Sequence, residues 1–228
     1  MTRSEPIEAV VVHVPVGDAQ VDGDLRMAPA PEGLVLFAHG SGSSRHSPRN
    51  RFVAQVLERS GLATLLMDLL TPDEEAIDRA TGRLRFDIDL LASRLVGAID
   101  WLRGRPDTPA LPIGLFGAST GAAAALVAAA ERADAIAAVV SRGGRPDLAG
   151  RALPRVTAPT LLIVGSLDTA VLRMNRDAMA AMRAPAALEI VDGAAHLFEE
   201  PGALSEVADL ASDWFRRHVA TRPSSRRP

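Results

Sequence analysis

The chain has 228 residues, 25 basic and 28 acidic side chains, a formal charge of −3, and an apolar content of 47%. At ~150 residues per domain, one domain is expected rather than two, and a chain of this size buries ~70% of its unfolded surface without a disulfide or a structural metal. It contains no cysteine, which excludes a disulfide scaffold, thiolate zinc sites, iron–sulfur clusters and a cysteine nucleophile, while the near-neutral charge argues against a nucleic-acid partner.

The start, MTRSEPIE, carries charges of both signs where a signal peptide needs a basic stretch and then an apolar one. The longest apolar run, Ala122 to Ala130, covers nine residues, short of the ~18 that suggest a membrane span. A cytoplasmic protein without a membrane partner is expected.

Residues 9–16 (AVVVHVPV) and 20–28 read as an antiparallel start, with a turn signal between them and a second at Asp22-Gly23. GLVLFAHG (33–40) is a continuous apolar run ending in glycine, as for a strand buried on both faces. After Pro48 the spacing of Phe52, Val53, Val56 and Leu57 predicts a helix ending at Gly61. ATLLMDLL (63–70) is the next buried strand, and an acidic loop from Thr71 to Asp78 leads to a helix marked by Ile88, Leu91, Leu95, Ile99 and Leu102.

PIGLFGAS (112–119) predicts a strand running straight into an alanine-rich helix over 120–133. AIAAVVS (135–141), PTLLIVGS (159–166) and ALEIVD (187–192) are three further strands, with a helix over Met174 to Met182 between the last two. Leu204 to His218 closes the domain as an amphipathic helix. A single domain over 1–218 with a disordered basic tail over 219–228 follows. Strand–helix alternation with non-alternating apolar strands predicts an α/β fold: a mostly parallel sheet with helices on both faces. Only about seventeen residues separate Ser141 from Pro159, room for a loop and a short helix but not for a large cap domain.

Gly117-Ala118-Ser119-Thr120-Gly121 lies at a strand–helix junction. This G-x-S-x-G pattern marks a nucleophile elbow, in which small neighbours let the backbone fold tightly beneath an exposed serine. A nucleophilic serine needs a base, and the base an orienting carboxylate. Of five histidines, His196 follows a buried strand and falls at the same sheet edge as Ser119. His13 and His218 read as structural, and His46 lies in a loop rich in serine and arginine.

Asp168, after PTLLIVGS, is the first choice of acid; Asp147 competes, and Asp192 lies too close to His196 in the chain. The order Ser119, Asp168, His196 differs from both main serine-protease orders. His39-Gly40-Ser41-Gly42-Ser43-Ser44 follows the first buried strand. The N–H groups of Ser41 and Thr120 are the candidate oxyanion hole, with His39 holding the loop. Read instead as a phosphate cradle, the HGSGS turn lacks the P-loop lysine: the sequence has no lysine at all. No H-E-x-x-H and no G-x-G-x-x-G after the first strand occur, so neither a metal nor a cofactor is expected.

LFAHGSGSSR, MDLLTPDE, GLFGASTG, LLIVGSLD and GAAHLF, in that order from about residue 8 to 217, give a sequence that resembles the α/β-hydrolase superfamily and, within it, the dienelactone hydrolase-like family. The resemblance implies Ser119, Asp168 and His196 as a catalytic triad. It departs in one respect: dienelactone hydrolases use a cysteine nucleophile, so the serine here points towards general ester hydrolysis. The reading is a hydrolase of small carboxylic esters acting through an acyl-enzyme. A thioesterase or acyltransferase and a non-catalytic binding module are the alternatives, and monomer and homodimer are both open. Arg45 and Arg142, each a few residues from a strand's C-terminal end, are candidates to grip a substrate carboxylate.

Overall fold

The computed structural model describes residues 8–27, 30–108 and 111–219. Strands β1 (Val10–Val16) and β2 (Ala19–Arg26) form a hairpin, followed by β3 (Leu34–Ala38), α1 (Pro48–Arg59), β4 (Ala63–Met67), α2 (Pro72–Thr81) and α3 (Ile88–Gly104). Then come β5 (Ile113–Ala118), α4 (Thr120–Glu131), β6 (Ile136–Arg142), β7 (Thr160–Gly165), α5 (Thr169–Ala181), β8 (Ala186–Val191) and α6 (Ala203–Val219). The strands make one sheet in the order β1-β2-β4-β3-β5-β6-β7-β8. The pairs β1–β2 and β2–β4 are antiparallel, and every later pair is parallel. Parallel neighbours need crossovers, which the helices supply on both faces.

All residues of β3, β4, β5, β6 and β7 are buried, which explains why these segments read as unbroken apolar runs. One core layer joins the sheet to α3 and α4, and the other joins it to α1 and α6. In α4 the alanines at 122–125, 128 and 129 are fully buried, their small side chains letting the helix lie close under β5. On the other face the rings of Phe37 and Phe116 sit 4.9 Å apart.

The expected acidic loop at Thr71 to Asp78 is instead the start of α2. Thr71 Oγ1 accepts from the Glu74 N–H at 3.3 Å while Glu74 Oε2 accepts from the Thr71 N–H at 2.8 Å, a reciprocal cap. Pro72 suits the first helical position, and Asp73, Glu74 and Glu75 complement the positive end of the helix. The expected turn at Asp22-Gly23 is also absent, since both residues lie inside β2. Gly23 is there for packing: a methyl on it would meet Leu65 Cδ1 at 2.8 Å.

Helix α5 starts at Thr169, five residues before its first expected position, and α6 extends to a buried Val219. The rest of the expected basic tail, 220–228, lies outside the described residues. Between β6 and β7 runs only a 3-10 segment, Pro146–Arg155, and no cap domain. No helix of the described residues is long and apolar enough to cross a membrane.

Candidate active site

Ser119 stands between β5 and α4 with φ 51° and ψ −121°, a left-handed backbone that costs a non-glycine residue free energy and recurs at functional sites. The two motif glycines make that turn possible. A Cβ at Gly121 would lie 2.4 Å from the carbonyl oxygens of Ala38 and His39, and one at Gly117 would lie 2.4 Å from Ala122 Cα. The Ser119 N–H donates to the Arg142 carbonyl at 3.2 Å, anchoring the elbow to the end of β6.

The loop after β3 closes over this turn. A Cβ at Gly40 would sit 3.1 Å from Ser119 Cβ, and the Ser41 and Thr120 hydroxyls are hydrogen-bonded at 3.0 Å. Thr120 opens α4, so its N–H has no acceptor within the helix. His39 is buried beneath the loop. Its Nε2 accepts from the Leu69 N–H at 3.1 Å, so the proton resides on Nδ1, which donates to the Gly40 carbonyl at 3.0 Å. Burial holds its imidazole below the ordinary value of 6.5, in spite of nearby Asp68 and Glu75. A neutral histidine with both nitrogens engaged is a clamp for the loop.

Asp68, which the sequence reading left without a role, holds the same loop from β4. Its Oδ1 accepts from the Arg45 N–H at 2.8 Å and its Oδ2 from the Arg45 guanidinium. Arg45 also pairs with Asp22 at 3.3 Å and Asp24 at 3.4 Å. Arg45, expected from the sequence to grip a substrate carboxylate, is thus paired with three carboxylates of the protein itself. The one available signal for Asp68 was an acid directly after a buried strand, in the motif MDLL.

His196 follows β8, and its Nδ1 donates to Asp168 Oδ2 at 2.7 Å. Asp168 stands at the first position before α5, after β7, and its side chain makes no cap bond to the helix. Of the other acids considered, Asp147 is held by the Arg145 guanidinium at 2.9 and 2.7 Å, and Asp192 accepts from the Ser166 hydroxyl at 3.2 Å. A methyl at Gly143 would lie 3.6 Å from His196 Cε1. The imidazole is thus adjacent to the residue following Arg142, whose carbonyl receives the Ser119 N–H. The loop after His196 carries its own strained residue, the buried Phe198 with φ 55°.

Arg142, at the end of β6, is buried. The remaining histidines lie elsewhere: His13 pairs with Asp22, His46 with Arg51, and His218 packs on the Trp214 ring. Beside the Ser41–Thr120 pair opens a cavity of about 120 Å³, lined by Leu69, Leu70, Leu91 and Glu75 among others. A larger hollow of about 430 Å³, at Glu32, Asp213, Arg216 and Arg217, includes none of the candidate site residues.

The dienelactone hydrolase family model matches residues 50–221. A crystal structure of a dienelactone hydrolase from Anabaena variabilis is 60% identical, with a TM-score of 0.93, over 94% of this chain and 100% of that one. XC6422 from Xanthomonas campestris, an α/β serine hydrolase without lid, is 19% identical with a TM-score of 0.76 over 97% of this chain and 100% of that one; it shares the fold. The α/β-hydrolase fold implied by the motifs is the fold observed. A curated relative from Mycobacterium tuberculosis, provisionally named a phosphoribosyl transferase, is 57% identical over 214 residues, 94% of this chain and 47% of that protein. The chain spans about half the length of the curated relatives it matches.

Proposed function

The chain belongs to the dienelactone hydrolase family, and from that premise we propose that it is a serine hydrolase of small carboxylic esters. The observation that carries the reading is the 2.7 Å bond between His196 and Asp168, beside a serine held in an elbow turn. With Nδ1–H donated to the carboxylate, His196 presents Nε2 as a bare acceptor. It takes the proton of Ser119 Oγ as that oxygen attacks the ester carbonyl, and Asp168 stabilises the imidazolium. The N–H groups of Thr120 and Ser41 hold the tetrahedral oxyanion.

His196 then returns the proton to the departing alkoxide, leaving an acyl-enzyme. Water, deprotonated by the same imidazole, attacks the acyl carbon and frees Ser119. The cavity beside Ser41 and Thr120, at about 120 Å³, suits a short acyl or alkoxy group. With no cap between β6 and β7, the enzyme takes esters from solution, and its rate does not jump when a substrate passes its solubility limit.

The transferase name of the Mycobacterium tuberculosis relative describes a protein about twice as long, of which this chain matches one part. Phosphoribosyl transfer is accordingly not carried to this chain. Labelling by a fluorophosphonate probe tests the hydrolase reading. One equivalent bound, with the modified peptide containing Ser119, supports it; a folded sample that stays unlabelled and hydrolyses no 4-nitrophenyl ester rejects it. A chain-length series of matched esters and thioesters then separates esterase from thioesterase.

A further inference from the structure

Arg142, Gly143 and Gly144, at and just past the end of β6, are buried. A buried turn must find partners for its backbone groups within the protein, and this one finds them at the active site. The Arg142 carbonyl accepts from the Ser119 N–H at 3.2 Å, and the Arg145 N–H donates to the Ser119 carbonyl at 3.1 Å. The peptide groups on both sides of the Ser119 Cα are thus tied to one short segment. Within it Gly143 lies against the His196 carbonyl and ring, and its N–H donates to the Ile163 carbonyl of β7 at 2.8 Å.

Gly144 completes the segment. A Cβ there would lie 2.0 Å from Ser141 Oγ and 2.6 Å from Ala122 Cβ, so its backbone is pressed between β6 and α4. Its carbonyl accepts from Asn175 Nδ2 at 3.0 Å, and the same amide donates to the Val171 carbonyl at 2.8 Å. Asn175 is wholly buried on α5, the helix that follows directly on Asp168. Its Oδ1 is buried with no hydrogen-bond partner among the described residues. An unsatisfied buried acceptor destabilises the fold, so packing alone would favour an apolar side chain of the same size here. What the amide supplies in return is a bridge from the helix after Asp168 to the turn that holds Ser119.

We propose that Asn175 is a positioning residue of the active site, setting the Ser119 elbow against His196 through the Gly144 carbonyl. Attack requires the serine oxygen within about 3–3.5 Å of the ester carbon, and a shift of the 142–145 turn moves Ser119 through both of its peptide groups. The strained backbone of Ser119, at φ 51°, persists only where its surroundings over-determine it. The Asn175 bridge is one of those restraints. Wholly buried, Asn175 reaches neither the substrate nor the reacting atoms, so its loss acts on the chemical step and not on ester affinity. The inference rests on the serine-hydrolase reading for its kinetics, but not for the restraint of the elbow.

Two variants test it. Asn175→Leu fills the same space without a donor, and Asn175→Ser turns its hydroxyl back on Val171, a bond serine favours within helices. The smaller change carries the test where the leucine variant does not fold. Leu95→Ala, in the core layer on α3, is the destabilised control. In both Asn175 variants kcat for a 4-nitrophenyl ester is expected to fall ~10–100-fold with KM near wild type. Leu95→Ala, compared below its unfolding transition, keeps its kcat. Amide hydrogen exchange gives a readout that needs no activity: the Ser119 and Arg145 N–H groups lose protection in the Asn175 variants, and the β3 amides do not. A kcat unchanged in a folded Asn175 variant, or one that falls as far in Leu95→Ala, overturns the positioning role. Exchange at Ser119 and Arg145 equal to that of wild type also overturns it. If wild type hydrolyses no ester, the hydrolase reading falls, and exchange alone decides whether Asn175 restrains the elbow.

Discussion

His196 donates Nδ1–H to Asp168 Oδ2 at 2.7 Å, across 28 residues of chain. The two residues sit on loops that leave neighbouring parallel strands, β7 and β8, at the same edge of the sheet. That edge is where β5 delivers Ser119. Strand order thus assembles residues from three separate segments, and the hydrogen bond fixes which imidazole nitrogen is left bare.

Ser119→Ala removes the proposed nucleophile while keeping the backbone of the elbow. Because triad residues act as a unit, kcat/KM is expected to fall by at least ~10³-fold with little change in thermal stability. Retention of more than about a tenth of wild-type activity would reject Ser119 as nucleophile.

Asp168→Asn should cost about 10⁴-fold in kcat, since the amide's NH₂ favours the wrong imidazole tautomer. Asp147→Asn, which disturbs only the exposed pair with Arg145, should leave kcat near wild type. Steady-state kinetics on both variants check the assignment, and the reverse ranking would transfer the orienting role to Asp147.

Asp68 accepts from Arg45 through both carboxylate oxygens and so ties the loop carrying Ser41 to β4. Asp68→Asn keeps the shape and removes the charge. A loss of about 1.5–3 kcal/mol in urea unfolding is expected, the range for hydrogen bonds to charged groups. A fall in kcat larger than any rise in KM should accompany it, because the loop N–H serves the oxyanion more than the bound ester. Unchanged kcat in a destabilised variant would make Asp68 purely structural.

His39 is neutral in the folded protein because burial lowers its affinity for a proton below the ordinary value of 6.5. The unfolded chain therefore binds the proton first. As pH falls below about 6.5, this group removes stability, with a slope of at most about 1.4 kcal/mol per pH unit, until the folded state also protonates. Above that pH it contributes no pH dependence. Urea unfolding between pH 7.5 and 5 should show wild type losing more stability than His39→Gln. Parallel curves for the two proteins would contradict the buried neutral state.

Local features were legible in the residues themselves. The elbow needs glycine on both sides of Ser119, and that need is written in five consecutive positions. The apolar strands announced a sheet covered on both faces, and the strand ends pointed to Asp168 and His196. Helix α2 was overlooked although Thr71-Pro72-Asp73-Glu74 carries its start signal. Its exposed face is acidic and its Ile77 is 55% exposed, so no apolar stripe marked it.

The two arginines mark where sequence alone stops. Arg45 and Arg142 look alike in the chain, each just past or at the end of a buried strand. Tertiary structure separates them, because Asp22 and Asp24 on β2 and Asp68 after β4 converge on Arg45, whereas the alternation of side chains along β6 buries Arg142 with Arg49 as its charged neighbour. Glycine spacing and apolar runs are set by neighbours along the chain, so the sequence determined the elbow and the layered sheet. The state of a charge depends on burial and on groups distant in sequence, so only the folded structure separates Arg45, paired with three carboxylates, from Arg142, whose buried Nε and Nη1 have no hydrogen-bond partner among the described residues.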